Sequence, residues 1–88
     1  MNTVDWLSRL IAFDTTSRYS NVQLIDCVDE YLRDLGLQPW RSWNADQSKA
    51  NLFVTLPAHD GNITGGTVLS GHTDVVPVDG QQWTSDPF

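Results

Sequence analysis

In the stretch LSGHTDVVPVDG, Leu69 to Gly80, a histidine and an acid, His72 and Asp74, stand two positions apart after a short apolar run. In extended chain, residues i and i+2 face the same side, so the two side chains can lie next to each other. One imidazole nitrogen can then bind a metal while the other donates its N–H to the Asp74 carboxylate. That arrangement fixes the tautomer and the ring orientation and makes the histidine a better ligand. Gly71 removes a side chain where something must approach closely. Val75 and Val76 wall the site, and Pro77 stiffens the chain that leaves it. A bare His-x-Asp is more often a loop histidine solvated by its neighbour, because a ligand site needs several convergent groups. Position tips the balance here, since α/β sheets place their ligands at the carboxyl ends of buried strands.

The elements that must position this pair follow from periodicity. Residues 3–13 read as an amphipathic helix capped by Thr3, with Val4, Leu7, Leu10 and Ile11 at helical spacing. The polar run DTTSRYSN breaks the period and reads as a loop. A second helix spans Asn21 to Leu35, with Ser20 as its cap and Gly36 as its stop. Its expected buried stripe is Val22, Ile25, Val28, Leu32 and Leu35, with Asp26, Asp29, Glu30 and Arg33 mostly on the other face. Three strand candidates come next: Leu37–Trp43, weakened by Pro39, then Asn51–Leu56, then the short apolar Thr67–Gly71. The decapeptide PAHDGNITGG between the last two predicts that they pair antiparallel. The expected fold class is α/β, two amino-terminal helices packed on a mixed β-sheet.

Composition bounds the function. Eighty-eight residues, 40% hydrophobic with four tryptophans, suit one small folded unit. A net charge of −6, with Arg9, Arg18, Arg33, Arg41 and Lys49 scattered, argues against nucleic acid as a partner. Cys27 is the single cysteine, so neither an internal disulfide nor a multi-cysteine zinc site can form. The start lacks the cationic and apolar regions of a signal peptide, and no apolar run reaches membrane-spanning length. These features lead to an expectation of a cytoplasmic protein. The ending QQWTSDPF, with no closing helix or strand, leads to an expectation of truncation.

The segment SGHTDVVPVDGQQWTSDPF, together with FDTTSRYSN, LIDCVDEYLRDLG and KANLFVTLP in matching order, resembles the M20 family of metallopeptidases and deacylases. The resemblance covers almost the whole chain. The Gly-His-Thr-Asp-Val-Val-Pro segment marks the family, and the flanking loops favour its amino-acid deacetylases. It implies that residues 1–88 are the front part of a zinc-dependent exopeptidase-like catalytic domain, with the rest of that domain and a dimerisation domain beyond Phe88. His72 would be a metal ligand and Asp74 an active-site acid that orients it. The implied cofactor is a pair of Zn2+ ions, with Co2+ as a substitute, about 3.5–4 Å apart and activating a water for amide hydrolysis. The implied partners are an acylated amino acid as substrate and a second copy in a homodimer. The bridging acid, the general base and the later ligands have no counterpart here. A non-catalytic fragment or small interaction module is therefore the reading from another class, and the 88 residues alone are expected to be inactive.

Other residues invite plainer roles. His59 reads as a surface histidine. Cys27 reads as a small buried or half-buried side chain, with Arg33 the one cation that helical spacing could bring near it. Arg18 reads as a solvated charge and Ser20 as a cap. Asp79 and Asp86 read as unpaired loop acids. Trp83 reads as an anchor for its loop or as lining near the site. Trp6, Trp40 and Trp43 read as packing residues or exposed apolar surface.

Overall fold

A computed structural model describes residues 1–88. Helix α1 runs Thr3–Ile11, helix α2 Val22–Asp34, strand β1 Trp40–Trp43 and strand β2 Ala50–Phe53. The chain is α/β, but the sheet is a two-stranded antiparallel hairpin and not the expected mixed sheet. The radius of gyration is 15.5 Å, against about 12 Å for a close-packed domain of this length. No helix is long and apolar enough to cross a membrane.

Local chemistry sets the helix ends. Asn2, not Thr3, caps α1: its side chain accepts from the Asp5 N–H at 2.9 Å, and Asp5 accepts the Asn2 N–H in return. At the other end of α2, Gly36 adopts φ +83°. The Gly36 N–H then reaches the Arg33 carbonyl at 2.9 Å and the Leu37 N–H reaches the Leu32 carbonyl at 3.1 Å. This pair of bonds is a Schellman stop, which requires a residue free to take a positive φ. Ser20 accepts the Val22 N–H from the position before the cap. Asn21 occupies the cap position itself, and its side chain turns to β2 instead.

That turn of Asn21 joins helix to sheet. Its amide donates to the Ala50 carbonyl at 2.8 Å and accepts the Ala50 N–H at 3.0 Å, pairing the outer edge of β2 as another strand would. The hairpin register sets Arg41 against Leu52 and Trp43 against Ala50. Alternation along each strand puts these four on the face towards α2, and leaves Trp40 and Phe53 on an open face, both more than half exposed. The buried core cluster is Leu24, Ile25 and Ala50, with Leu10, Phe13, Val28 and Leu52 packed around it.

So small a core gives polar contacts unusual weight. Asp29, expected on the outer face of α2, is buried. It accepts from Arg33 Nε at 2.5 Å and from Arg41 Nε at 2.8 Å, while Arg41 Nη1 pairs with Asp26 at 2.7 Å. The helical stripe is turned accordingly: Leu24 is buried, and Leu35 is exposed. Helix α1 buries no residue, and Val4, Leu7 and Ile11 remain largely exposed. It touches α2 through Trp6, edge-on to Tyr31 with centroids 4.5 Å apart, and through Arg9, whose Nε donates to Cys27 Sγ at 3.1 Å. The cation beside Cys27 is thus Arg9 of α1 and not Arg33.

Residues 67–71 form no strand. Val68 and Leu69 are 78% and 93% exposed. An apolar run becomes a strand only where a neighbour supplies ladder partners, and β2 has β1 on one side and the Asn21 amide on the other. The expected pairing of Asn51–Leu56 with Thr67–Gly71 is therefore replaced by the β1–β2 hairpin.

Burial pushes the Asp29 carboxyl up, but hydrogen bonds from Arg41 and Arg33 outweigh it and hold the group below its ordinary value of 3.8. Its stabilising contribution is thus complete above that ordinary value and is lost as pH falls through the lower folded one. Asp29→Asn is expected to cost about 3 kcal/mol at neutral pH, because it removes the buried charge that Arg33 and Arg41 share and leaves Arg41 with only the exposed Asp26 as counter-charge. Urea denaturation followed across the acid range should also show a shallower loss of stability in the variant than in the unsubstituted chain.

Candidate functional site

The segment carrying His72 and Asp74 is irregular backbone, held by the loop between the helices. Asp14 starts that loop with an Asx turn, accepting the Thr16 N–H at 3.1 Å and the Thr16 hydroxyl at 2.6 Å. Thr15 and Thr16 are both buried. A single parallel bridge joins Thr16 to Val75: the Ser17 N–H donates to the Val75 carbonyl at 3.0 Å, and the Val75 N–H to the Thr15 carbonyl at 3.2 Å. The Thr15 hydroxyl adds a bond of 2.6 Å to the Thr73 carbonyl. Asn21 reaches the Thr73 hydroxyl at 3.3 Å, so one side chain links α2, β2 and the site segment.

On this support His72 and Asp74 meet. His72 Nδ1 lies 2.9 Å from the Asp74 carbonyl oxygen and 3.1 Å from Asp74 Oδ1. Both oxygens can only accept, the carboxylate being ionised, so Nδ1 carries the proton and Nε2 is left with a free lone pair. The imidazole is 83% exposed, which leaves Nε2 open to solvent. This is the donor set of a histidine ligand oriented by a carboxylate. The residues present fit one position in the coordination of a zinc or cobalt ion. No three His, Cys, Asp or Glu side chains come together anywhere in the 88 residues.

The other oxygen of Asp74 is also engaged. Ser17 Oγ donates to Asp74 Oδ2 at 2.7 Å. That hydrogen bond is the main reason the Asp74 carboxyl lies below its ordinary value; desolvation opposes it, and the bond from His72 adds a smaller lowering. Ser17 escapes a reading of sequence alone. Nothing in its neighbours predicts that residues 57 positions apart will meet.

Two loop residues expected to be unpartnered form an ion pair. Arg18 Nη2 lies 2.8 Å from Asp79 Oδ1, and its guanidinium also stacks 4.9 Å from the centre of the Tyr19 ring. The hydrogen bond from Arg18 holds the Asp79 carboxyl low, and the same bond raises Arg18 further. The pair clips the loop after α1 to the segment beyond the site, at the surface, where such pairs contribute little to stability.

A cleft of about 520 Å³, mostly apolar, opens beside the site, with His72 and Thr73 on its wall next to Val75, Val76 and Trp83. The Trp83 indole N–H donates to the Val78 carbonyl at 3.2 Å, which fixes its loop. A side chain at Gly71 would meet nothing within 4 Å, so this glycine is not required by any approach from within the chain. His59 is exposed in its loop and remote from these groups in the hydrogen-bond network.

The chain is similar in sequence to a segment of several acetylornithine deacetylases. Over 81 residues it is 41% identical to the acetylornithine deacetylase of Proteus mirabilis and 38% identical to that of Erwinia tasmaniensis, covering 88% of this chain and 19% of each relative. Over 69 residues it is 42% identical to the acetylornithine deacetylase of Edwardsiella ictaluri, covering 78% of this chain and 17% of that protein. The chain is homologous to a segment of the acetylornithine deacetylases and spans about a fifth of their length. No family model and no solved structure matches it.

The site segment depends on a few hydrogen bonds, and the Thr15 hydroxyl makes the shortest of those to it from a buried residue. Thr15→Val keeps the shape of the side chain but leaves the Thr73 carbonyl without that donor, at a cost of about 1 kcal/mol. Hydrogen exchange should show the Val75 and Ser17 amides opening faster in the variant, while the amides of the β1–β2 hairpin keep their protection.

Proposed function

We propose that these 88 residues are the amino-terminal part of the catalytic domain of a metal-dependent hydrolase that removes the acetyl group from N2-acetyl-L-ornithine, giving L-ornithine and acetate. The observation that carries this reading is the His72–Asp74 contact, in which Nδ1 faces two acceptors and Nε2 is free. The names of the homologues supply the substrate class.

In this reading His72 holds one of two zinc or cobalt ions through Nε2, and Asp74 keeps the ring in the tautomer and orientation that this requires. The bound metal would supply an electrophile for the amide carbonyl and a water acidic enough to ionise near neutral pH. Asp74 remains ionised throughout and moves no proton. Val75, Val76 and Trp83 give the site an apolar wall on one side. A single histidine cannot hold two ions, so the 88 residues by themselves are inactive in this reading. The same reading places the activity in the cytoplasm, in arginine biosynthesis, and expects the full-length enzyme to be a homodimer.

Acetate release from N2-acetylornithine, measured with added zinc or cobalt, tests the proposal. A longer polypeptide bearing this segment and its downstream sequence should hydrolyse the substrate, and His72→Ala should lower kcat/KM by about 1,000-fold, as removal of a transition-state contact does. The 88-residue chain should release none. Hydrolysis confined to succinylated diaminopimelate would move the assignment to a desuccinylase. Undiminished activity in His72→Ala would sink the site altogether.

A further inference from the structure

We infer that Ser17 is a positioning residue of this site, holding the Asp74 carboxylate so that the carboxylate can hold the His72 ring. The inference rests on the functional reading above for its purpose, but on geometry for its substance. The His72 ring is 83% exposed, and its hydrogen-bond contacts are the two from Nδ1 to Asp74. A carboxylate on an exposed aspartate turns readily about its last torsion, whose preference is broad and two-fold. Donors on both oxygens stop that rotation: His72 on Oδ1 at 3.1 Å, and Ser17 on Oδ2 at 2.7 Å.

Ser17 is itself fixed at every polar group. Its N–H donates to the Val75 carbonyl at 3.0 Å, and its carbonyl accepts from Lys49 Nζ. Its hydroxyl has a second acceptor within reach, the Val75 carbonyl at 3.3 Å, but the shorter contact to the charged oxygen takes the single proton. Orientation therefore passes from the loop after α1, through one hydroxyl and one carboxylate, to a ring whose other hydrogen-bond contact is the Asp74 backbone carbonyl. Lys49, which precedes β2, anchors the start of this relay to the hairpin.

The test uses the 88-residue chain in two states. In the metal-free chain, long-range 1H–15N spectra of the His72 ring read its tautomer and the exchange of its Nδ1 proton. Ser17→Ala should shift the ring nitrogens towards a mixture of tautomers and speed that exchange, whereas Ser17→Thr, which keeps the hydroxyl, should restore both. With zinc titrated in excess, the same ring spectra should show the weak affinity of Nε2 for the ion falling about 10-fold in Ser17→Ala, the lower end of what loss of an outer partner costs. Ring spectra unchanged in Ser17→Ala would overturn the inference, as would equal shifts in Ser17→Ala and Ser17→Thr. Because the ring measurement needs no metal, its outcome is independent of the metal-site reading, which the activity of a longer polypeptide and of its His72→Ala variant tests.

Discussion

The parallel bridge between Thr16 and Val75 ties the segment that carries His72 to the rest of the molecule, and every feature of the site depends on it. Residues 67–71 approach the site without secondary structure and with their apolar side chains in solvent. Apolar packing from that side therefore cannot set where His72 lies. The bridge, the Thr15 hydroxyl on the Thr73 carbonyl, and the Ser17 hydroxyl on Asp74 do so instead. Directional bonds of this kind fix register within a fraction of an ångström, which a few exposed valines could not.

A second constraint underlies the first. The loop of residues 14–17 can hold the site only if it is held in turn, and the core available for that is three buried apolar residues. Asn21 and Asp29 make up the difference. Asn21 pairs the backbone edge of β2 with a side-chain amide, so the hairpin docks on α2 without a third strand. Asp29 draws Arg33 and Arg41 onto one carboxylate, so α2 and β1 are joined through a buried charge that both arginines share. The extended shape, with much apolar surface on α1 and on residues 54–70 left in water, is the physical counterpart of so modest a core.

The helices were legible from their periodicity because the spacing of apolar residues depends only on local geometry. The stop at Gly36 was legible too, since a Schellman turn demands a positive φ that glycine adopts freely. The hairpin was half legible. Asn44, Asp46 and Ser48 form a turn cluster, with Lys49 N–H on the Asn44 side chain and Ser48 on Asp46, and such residues are the usual turn signal. The apolar run at Thr67–Gly71 carries a strand signal of its own, yet β2 pairs with β1. Propensity identifies a chain segment that can be a strand and does not say which neighbour it finds.

Sequence alone determined the pair at the site: a histidine and an acid two apart in extended chain must fall within reach of each other, because that spacing is a property of the backbone. Only the tertiary structure decided what holds the pair. Ser17 meets Asp74 and Arg18 meets Asp79 across 57 and 61 positions, through a loop whose path no local pattern encodes. The burial of Asp29 was decided in the same way, by two arginines from different elements converging on a face that helical periodicity had assigned to solvent. Contacts within a turn or a strand are set by neighbours in the chain, whereas those that orient this histidine exist only once distant segments have packed.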